Sequence, residues 1–107
     1  MIVRADESDL VRLDLNNAVF QRPLFALEKA QQLGVLATLR KLSELRWPQV
    51  YPDRGLKWEL IHSRIGPGGH RLHSLRISQG FRAVAYRDDG GWLRMLSLHP
   101  DHDSAYR

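Results

Sequence analysis

The chain has 107 residues, of which 43% are hydrophobic, and this composition indicates one globular domain over residues 1–107. It contains no cysteine, which excludes disulfides and thiolate metal sites and favours a cytoplasmic location. The apolar runs are too short to span a bilayer, and residues 1–7 carry no apolar stretch of signal-peptide length. No membrane association is therefore expected.

The net charge of +4 is unevenly distributed along the sequence. Between residues 54 and 87 there are seven arginines or lysines and a single acidic residue, Glu59. A concentrated basic surface attracts polyanions because binding releases their counterions. Arginine outnumbers lysine, which suits bidentate phosphate binding but equally fits a codon bias that supplied ordinary solvated charges.

The first half of the chain predicts a short strand followed by helices. Residues 9–15 alternate between apolar and polar as a strand does, and Asn16-Asn17 then offers a helix cap. Apolar residues recur at helical spacing from Leu24 to Leu45, with an interruption at Gly34. This pattern predicts either two helices in a hairpin or one helix kinked near Gly34. Trp47-Pro48 is expected to end the helical segment.

The second half predicts four strands. Residues 56–61 form a candidate strand with Lys57 and Glu59 on one face, and the glycine-rich residues 65–69 form a loop. Strands at 72–78 and 81–87 are joined by Gln79-Gly80, and another strand covers 92–99. The order β-α-α-β-β-β-β predicts an α+β fold, in which a helical hairpin packs on one face of a twisted antiparallel sheet.

Side-chain alternation assigns the residues of the central hairpin to the two faces of that sheet. A two-residue loop places Ser78 opposite Phe81 and Arg76 opposite Ala83. Arg76 then lies away from the helices and can present its guanidinium to a phosphate, or it is a surface arginine paired with Glu59. Arg82 falls on the helix side, where an ion pair with a carboxylate of a helix or of the tail is expected. The predicted helix side is His73, Leu75, Ile77, Arg82, Val84 and Tyr86, and the other side is Ser74, Arg76, Ser78, Phe81, Ala83 and Ala85.

The polar tail, residues 99–107, carries groups that can transfer protons. His99 and His102 titrate near neutrality and can donate or accept a proton during a reaction. Together with Asp101 and Asp103 they could bind a metal in principle, but their spacing supports no defined zinc site. We therefore expect no metal and no other cofactor. The alternative is a solvated terminus without chemistry.

Residues 55–61, 72–84 and 97–106 together resemble the RelE/ParE superfamily of toxins from type II toxin–antitoxin systems. In that family a hairpin with the pattern Leu-Arg-x-x-x-x-aromatic-Arg-aliphatic precedes a strand that ends in a tail of the type His-Asp-x-Ala-Tyr. The resemblance covers the second half of the chain, and the first half only by its helical pattern. The matching residues here are Leu75, Arg76, Phe81, Arg82, Ala83, His102, Asp103, Ala105 and Tyr106.

The resemblance implies a ribosome-dependent mRNA endonuclease that cleaves by attack of the substrate's own 2′-hydroxyl, without a metal. Arg76 would stabilise charge on the phosphate, and Tyr106 would stack on a base or orient the phosphate. His102 would be the leading general acid or base. The full set of catalytic candidates is Arg76, His102, Tyr106, Glu59 as a candidate base, and His99. The RNA-binding candidates are Lys57, Arg64, Arg71 and Arg82.

Several alternatives remain open from the sequence. The family tail often reads His-His-Asp, whereas Asp101 stands here at the first of those positions and His99 lies two residues earlier. Proton transfer is therefore open between His99 and His102. The ParE branch of the superfamily inhibits DNA gyrase without cutting RNA, and a third possibility is an inactive module that binds its antitoxin and represses an operon. The implied partners are an acidic antitoxin, the ribosome and mRNA.

Overall fold

The computed structural model describes residues 9–101, which form one sheet and a set of helices. No helix in this part of the chain is long and apolar enough to cross a bilayer. A short 3₁₀ turn covers Pro67–Gly69. In chain order the elements are β1 (Arg12–Asp14), α1 (Ala18–Ala26), α2 (Lys29–Ser43), α3 (Trp47–Val50), β2 (Glu59–Ile65), β3 (Arg71–Ser78), β4 (Phe81–Arg87) and β5 (Trp92–His99).

The sheet has the order β1-β5-β4-β3-β2. Strands β2 to β5 pair antiparallel, as predicted. Strand β1 is shorter than the predicted strand at 9–15 and joins the edge of the sheet parallel to β5, so the sheet is mixed. Asp14 of β1 forms an ion pair with Arg94 of β5. That contact links the first strand to the last one, although the two residues are 80 positions apart in sequence.

The helical hairpin begins at a side-chain cap and turns earlier than the sequence suggested. Asn17 caps α1, because its Oδ1 accepts a hydrogen bond of 2.8 Å from the backbone N–H of Val19. The break between α1 and α2 lies at Leu27 and Glu28, whose backbones are extended. Two helices in a hairpin are thus confirmed, but a break at Gly34 is wrong. Glycine costs only about 1 kcal/mol in a helix interior, which is too little to end a helix that packs on a sheet.

Trp47 begins a helix instead of ending one. Helix α2 already ends at Ser43, and Pro48 lies in the first turn of α3, where its missing N–H is least costly. Trp47 is fully buried, and its Nε1 donates a 2.9 Å hydrogen bond to the carbonyl of Gly91. The prediction that the helical segment stops at Trp47-Pro48 is therefore wrong.

The helices cover one face of the sheet. A second, smaller cluster lies on the opposite face, where Ile61, Leu72 and Val84 are buried against the half-buried Tyr86 and Leu96, all of them strand residues. We call that opposite face the second face. The main core joins the helix residues Phe20, Val35, Leu39, Leu42, Trp47 and Val50 to the strand residues Leu75, Phe81, Ala83, Ala85, Leu93, Met95 and Leu98.

A β-bulge corrects the predicted pairing of the central hairpin. Ser78 lies opposite Phe81 as expected, but Arg76 lies opposite Arg82 and not opposite Ala83, because Ile77 is an extra residue in β3. The faces predicted for Leu75, Arg76 and Ile77 are correct. The faces predicted for β4 are reversed, since one extra residue exchanges the two sides of a strand. In β4, Phe81, Ala83 and Ala85 pack in the main core, whereas Arg82, Val84 and Tyr86 lie on the second face.

Candidate functional site

Three neighbouring strands place Arg76, Arg82 and His99 side by side on the second face. Arg76 of β3 lies opposite Arg82 of β4, and Arg82 lies opposite His99 of β5. Side chains that are directly opposite in antiparallel strands have Cβ atoms about 4.5–5.5 Å apart. We call these three residues the basic row. Two guanidinium groups and an imidazole therefore share one small area of the sheet.

Arg82 is buried, and the described part of the chain offers it no counter-ion. It is only 5% exposed, its Nη1 reaches the carbonyl of Ser78 at 3.4 Å, and its Nε has no hydrogen-bond partner. Within residues 9–101 no carboxylate forms an ion pair with it, so the expected partner on a helix is absent there. Transferring a charged group from water into the protein interior costs on the order of several kcal/mol of desolvation free energy. A guanidinium held in this way is suited to receive an anion.

Arg76 is half-buried and its backbone is fixed to the chain before β2. Its N–H donates a 2.6 Å hydrogen bond to the carbonyl of Leu56. The alternative that Arg76 is a surface arginine paired with Glu59 is not found. Glu59 instead lies 3.9 Å, Oε1 to Nζ, from Lys57. In the described part of the chain the Arg76 guanidinium thus has no ion-pair partner.

The surroundings of His99 favour the neutral form of its imidazole. Its Nε2 lies 2.7 Å from the Oγ of Ser97, which precedes it by two residues on the same face of β5. Burial lowers the pKa of His99 below the usual 6.5, and the positive charge of Arg64 lowers it further. At neutral pH the ring is then in the form that accepts a proton. Ser97 was missed from the sequence, although its spacing from His99 on the predicted strand 92–99 places both on one face.

Glu59 lies near the basic row, whereas Lys57 is not in the strand where it was predicted. Glu59 pairs with Ser74, which is two residues from Arg76 on the same face of β3, about 7 Å along the strand. Lys57 lies before β2 with a φ of 50°, because the strand begins only at Glu59. Trp58, the residue between Lys57 and Glu59, packs against the main core, and its ring is stacked on that of His73 with the ring centres 4.4 Å apart.

The other residues that were predicted to bind RNA or to act in catalysis lie at different distances from the basic row. Arg64 of β2 lies close enough for its charge to act on His99. Arg71 is exposed at the start of β3, five residues or about 17 Å from Arg76, so it is not part of the basic row. His102 and Tyr106 lie outside the described residues. Their assignment stays a prediction.

The chemistry available at the basic row is anion binding and proton transfer. The guanidinium groups of Arg76 and Arg82 offer planar donor forks that match phosphate oxygens. His99 adds a proton acceptor beside them. Within residues 9–101 there is no group of three or more histidine, aspartate or glutamate side chains arranged to hold a metal ion. The arrangement suits a phosphodiester.

Comparison with known proteins identifies a similar fold. No protein-family model matches the chain, and no curated protein matches it. It is similar to a chain in the crystal structure of the archaeal RelE–RelB complex from Pyrococcus horikoshii OT3. The TM-score is 0.58 at 18% sequence identity, over 87% of this chain and 94% of that one. The predicted α+β fold with a helical hairpin on one face of the sheet is thereby confirmed.

Proposed function

We propose that this chain, which has a RelE-like fold, is the toxin of a type II toxin–antitoxin pair and cleaves mRNA on the ribosome without a metal. One observation carries the proposal: Arg82 is buried beside Arg76 and His99, and no carboxylate of the described residues neutralises it. A purely structural arginine at such a depth would normally be paired. An RNA phosphate would supply the missing negative charge.

In the proposed reaction the 2′-hydroxyl of one nucleotide attacks the phosphorus that follows it. The P–O5′ bond breaks, which leaves a 2′,3′-cyclic phosphate on one product and a 5′-hydroxyl on the other. Neutral His99 accepts the proton of the 2′-hydroxyl, while Arg76 and Arg82 stabilise the charge that develops on the phosphate oxygens. His102 donates the proton to the leaving oxygen, and Tyr106 stacks on a neighbouring base.

The proposal is tested by primer extension on an mRNA that is being translated, with a DNA supercoiling assay in parallel. We expect new 5′ ends within the coding region that require ribosomes, together with unchanged supercoiling. Loss of gyrase activity with intact mRNA would assign the chain to the gyrase-inhibiting branch. Binding to an antitoxin without either activity would assign it to the inactive modules.

Replacing Arg82 with methionine should separate activity from stability. We expect cleavage to fall by about 10- to 100-fold, since a hydrogen bond to a charged group contributes roughly 1.5–3 kcal/mol. We expect the Tm to stay unchanged or to rise, because the variant removes a buried charge that no carboxylate of residues 9–101 neutralises. Thermal unfolding and primer extension provide the two measurements.

Arg87→Met is the matched control for that variant. Arg87 is on the same strand but exposed, and its guanidinium lies 4.8 Å from the centre of the Trp47 ring. Cleavage by this control should remain near that of the wild type. A large fall in Tm for Arg82→Met with unchanged cleavage would show that Arg82 holds the fold and takes no part in binding RNA.

The proposed antitoxin partner is supported by the surface of the helical hairpin. Phe25 is 74% exposed, and Leu33 and Leu36 are each 54% exposed. Leu24, Phe25 and Leu36 line a groove of about 180 Å³. Exposed apolar side chains that cluster in this way are typical of a surface that binds another protein. An amphipathic segment with acidic residues would cover this groove and extend to the basic half of the chain.

Charge reversal at Arg64, Arg71 and Arg76 should weaken binding of the cognate antitoxin. We expect the Kd to rise by about tenfold or more, because each exposed ion pair contributes roughly 0.2–1 kcal/mol and reversal adds repulsion. The difference between the triple glutamate variant and the wild type should shrink at 1 M NaCl, where charges are screened. Titration calorimetry at both salt concentrations measures this, and equal affinity at low salt would contradict the electrostatic account.

A further inference from the structure

A second β-bulge determines which residues of β5 reach the second face. Met95 lies opposite Ala85 and Ser97 lies opposite Val84, so Leu96 is an extra residue in β5. One extra residue exchanges the two sides of the strand that follows it. Bulges in other proteins often redirect a side chain beside an active site.

The burial of the residues in β5 shows this exchange of sides. Met95 packs in the main core before the bulge, and Leu98 packs there after it. In a regular strand Ser97 and His99 would lie on the same side as Met95, because they follow it by two and four positions. The bulge instead places both of them on the second face, where His99 lies opposite Arg82.

On the second face the side chains of Ser97 and His99 are in contact. The Oγ of Ser97 and the Nε2 of His99 are 2.7 Å apart, which is the distance of a good hydrogen bond. Strand β5 pairs with β4 on both sides of the bulge, so the backbone that carries the two residues is held in place. The serine oxygen therefore lies at a fixed position against one edge of the imidazole.

The direction of this hydrogen bond decides which nitrogen of His99 can take up a proton. A neutral imidazole has one N–H group and one nitrogen with a lone pair, and a hydrogen bond at one nitrogen selects between the two tautomers. If the serine oxygen accepts from Nε2–H, the lone pair is on Nδ1. If the serine hydroxyl donates to Nε2, the lone pair is on Nε2 and is already engaged by the hydroxyl.

The charges around the ring favour the first arrangement. Arg82 of β4 lies directly opposite His99, and the positive charge of Arg64 of β2 also acts on the ring. A positive charge attracts a nitrogen lone pair and repels an N–H dipole. Since Nε2 is directed at Ser97, the lone pair is more stable on Nδ1 and the N–H is more stable on Nε2.

We propose that Ser97 is a positioning residue for His99: its oxygen accepts a hydrogen bond from Nε2–H, which fixes the ring and makes Nδ1 the atom that takes the proton of the 2′-hydroxyl. The inference rests on the proposed nuclease function. The proton passes from O2′ to Nδ1 while O2′ bonds to phosphorus and the P–O5′ bond breaks. The hydrogen bond to Ser97 persists through this step, because both nitrogens of the imidazolium are donors. Ser97 acts through His99 and exchanges no proton with the RNA.

The test observes the imidazole directly, by ¹⁵N NMR of the full chain labelled at histidine, with His99→Gln to assign the signals of His99. In the wild type at neutral pH we expect the proton on Nε2 and the lone pair on Nδ1. In Ser97→Ala we expect a mixture of both tautomers and a lower pKa of His99, because the lost acceptor stabilises the protonated ring more than the neutral one. Ser97→Thr keeps the hydroxyl and should restore the tautomer and the pKa.

Two results of this measurement would overturn the inference. One is a wild type that carries the proton on Nδ1, and this result needs no variant, so it stands even if Ser97→Ala does not fold. The other is a pKa of His99 that rises or stays unchanged in Ser97→Ala, since the loss of a donor to Nε2 would raise it.

Cleavage of translated mRNA distinguishes this inference from the function on which it rests. Ser97→Ala should lower kcat by about tenfold with KM unchanged, as expected when one hydrogen bond that orders the base is lost, and should move the acidic limb of the pH profile to lower pH. Ser43→Ala, which removes an exposed hydroxyl from the end of α2, is the control. If the wild type has the expected tautomer but does not cleave mRNA, the proposed function fails and the hydrogen bond stands. If the wild type cleaves and a folded Ser97→Ala variant keeps its kcat and its acidic limb, the positioning role is overturned.

Discussion

Arg76→Ala is expected to lower the rate of mRNA cleavage by about 10²–10³-fold, the contribution of one preorganised donor to the stabilisation of transition-state charge. The guanidinium of Arg76 lies opposite Arg82 and has no ion-pair partner in residues 9–101, so its charge is available to the phosphate. The charge on the phosphate oxygens is largest when phosphorus has five oxygen neighbours. The effect should therefore appear in kcat more than in KM.

Single-turnover cleavage on stalled ribosomes measures this effect, with Arg40→Ala as the control. Arg40 is exposed on α2, where its guanidinium forms an exposed ion pair with Glu44, so its loss should change the rate little. Growth arrest in cells provides a second readout. Full toxicity of a folded Arg76→Ala variant would rule out a nuclease mechanism centred on the basic row.

His99→Gln is expected to lower the cleavage rate by about 10²–10⁴-fold, because glutamine keeps a hydrogen bond but cannot take up a proton. In the wild type the base must be neutral. The rate should then fall as the pH drops through the pKa of His99, which burial and the charge of Arg64 hold below 6.5. This acidic limb of the pH profile should be absent in the variant.

The pH dependence of the cleavage rate should distinguish the role of His99 from that of His102. His102→Gln should remove the limb at higher pH, since a proton donor must be protonated. His99→Gln should remove the acidic limb and leave the other one. An acidic limb that persists in His99→Gln would exclude His99 as the base.

Local sequence pattern was sufficient for the last two strands and for the cap of the first helix. The predicted strands at 81–87 and 92–99 agree with β4 and β5, because a turn that contains glycine precedes each of them. The cap at Asn17 follows from its side-chain chemistry alone. The parallel pairing of β1 with β5 could not be read locally, since it depends on contacts some 80 residues apart in sequence, such as Asp14 with Arg94.

The candidate site was predictable only in part. The resemblance identified Arg76, but the position of Arg82 beside it depends on the bulge at Ile77, which leaves no mark in the periodicity. Arg82 and His99 are neighbours only because of the register between β4 and β5.

If the basic row promotes attack by the RNA's own 2′-hydroxyl, cleavage requires that hydroxyl, and one substitution in the substrate tests this directly. A defined mRNA is placed on the ribosome with a 2′-deoxynucleotide at the cleaved position, beside an otherwise identical all-ribose mRNA. We expect the all-ribose mRNA to be cut to a 2′,3′-cyclic phosphate and a 5′-hydroxyl, and the deoxy-substituted mRNA to bind but remain intact. Equal cleavage of the two would contradict the account.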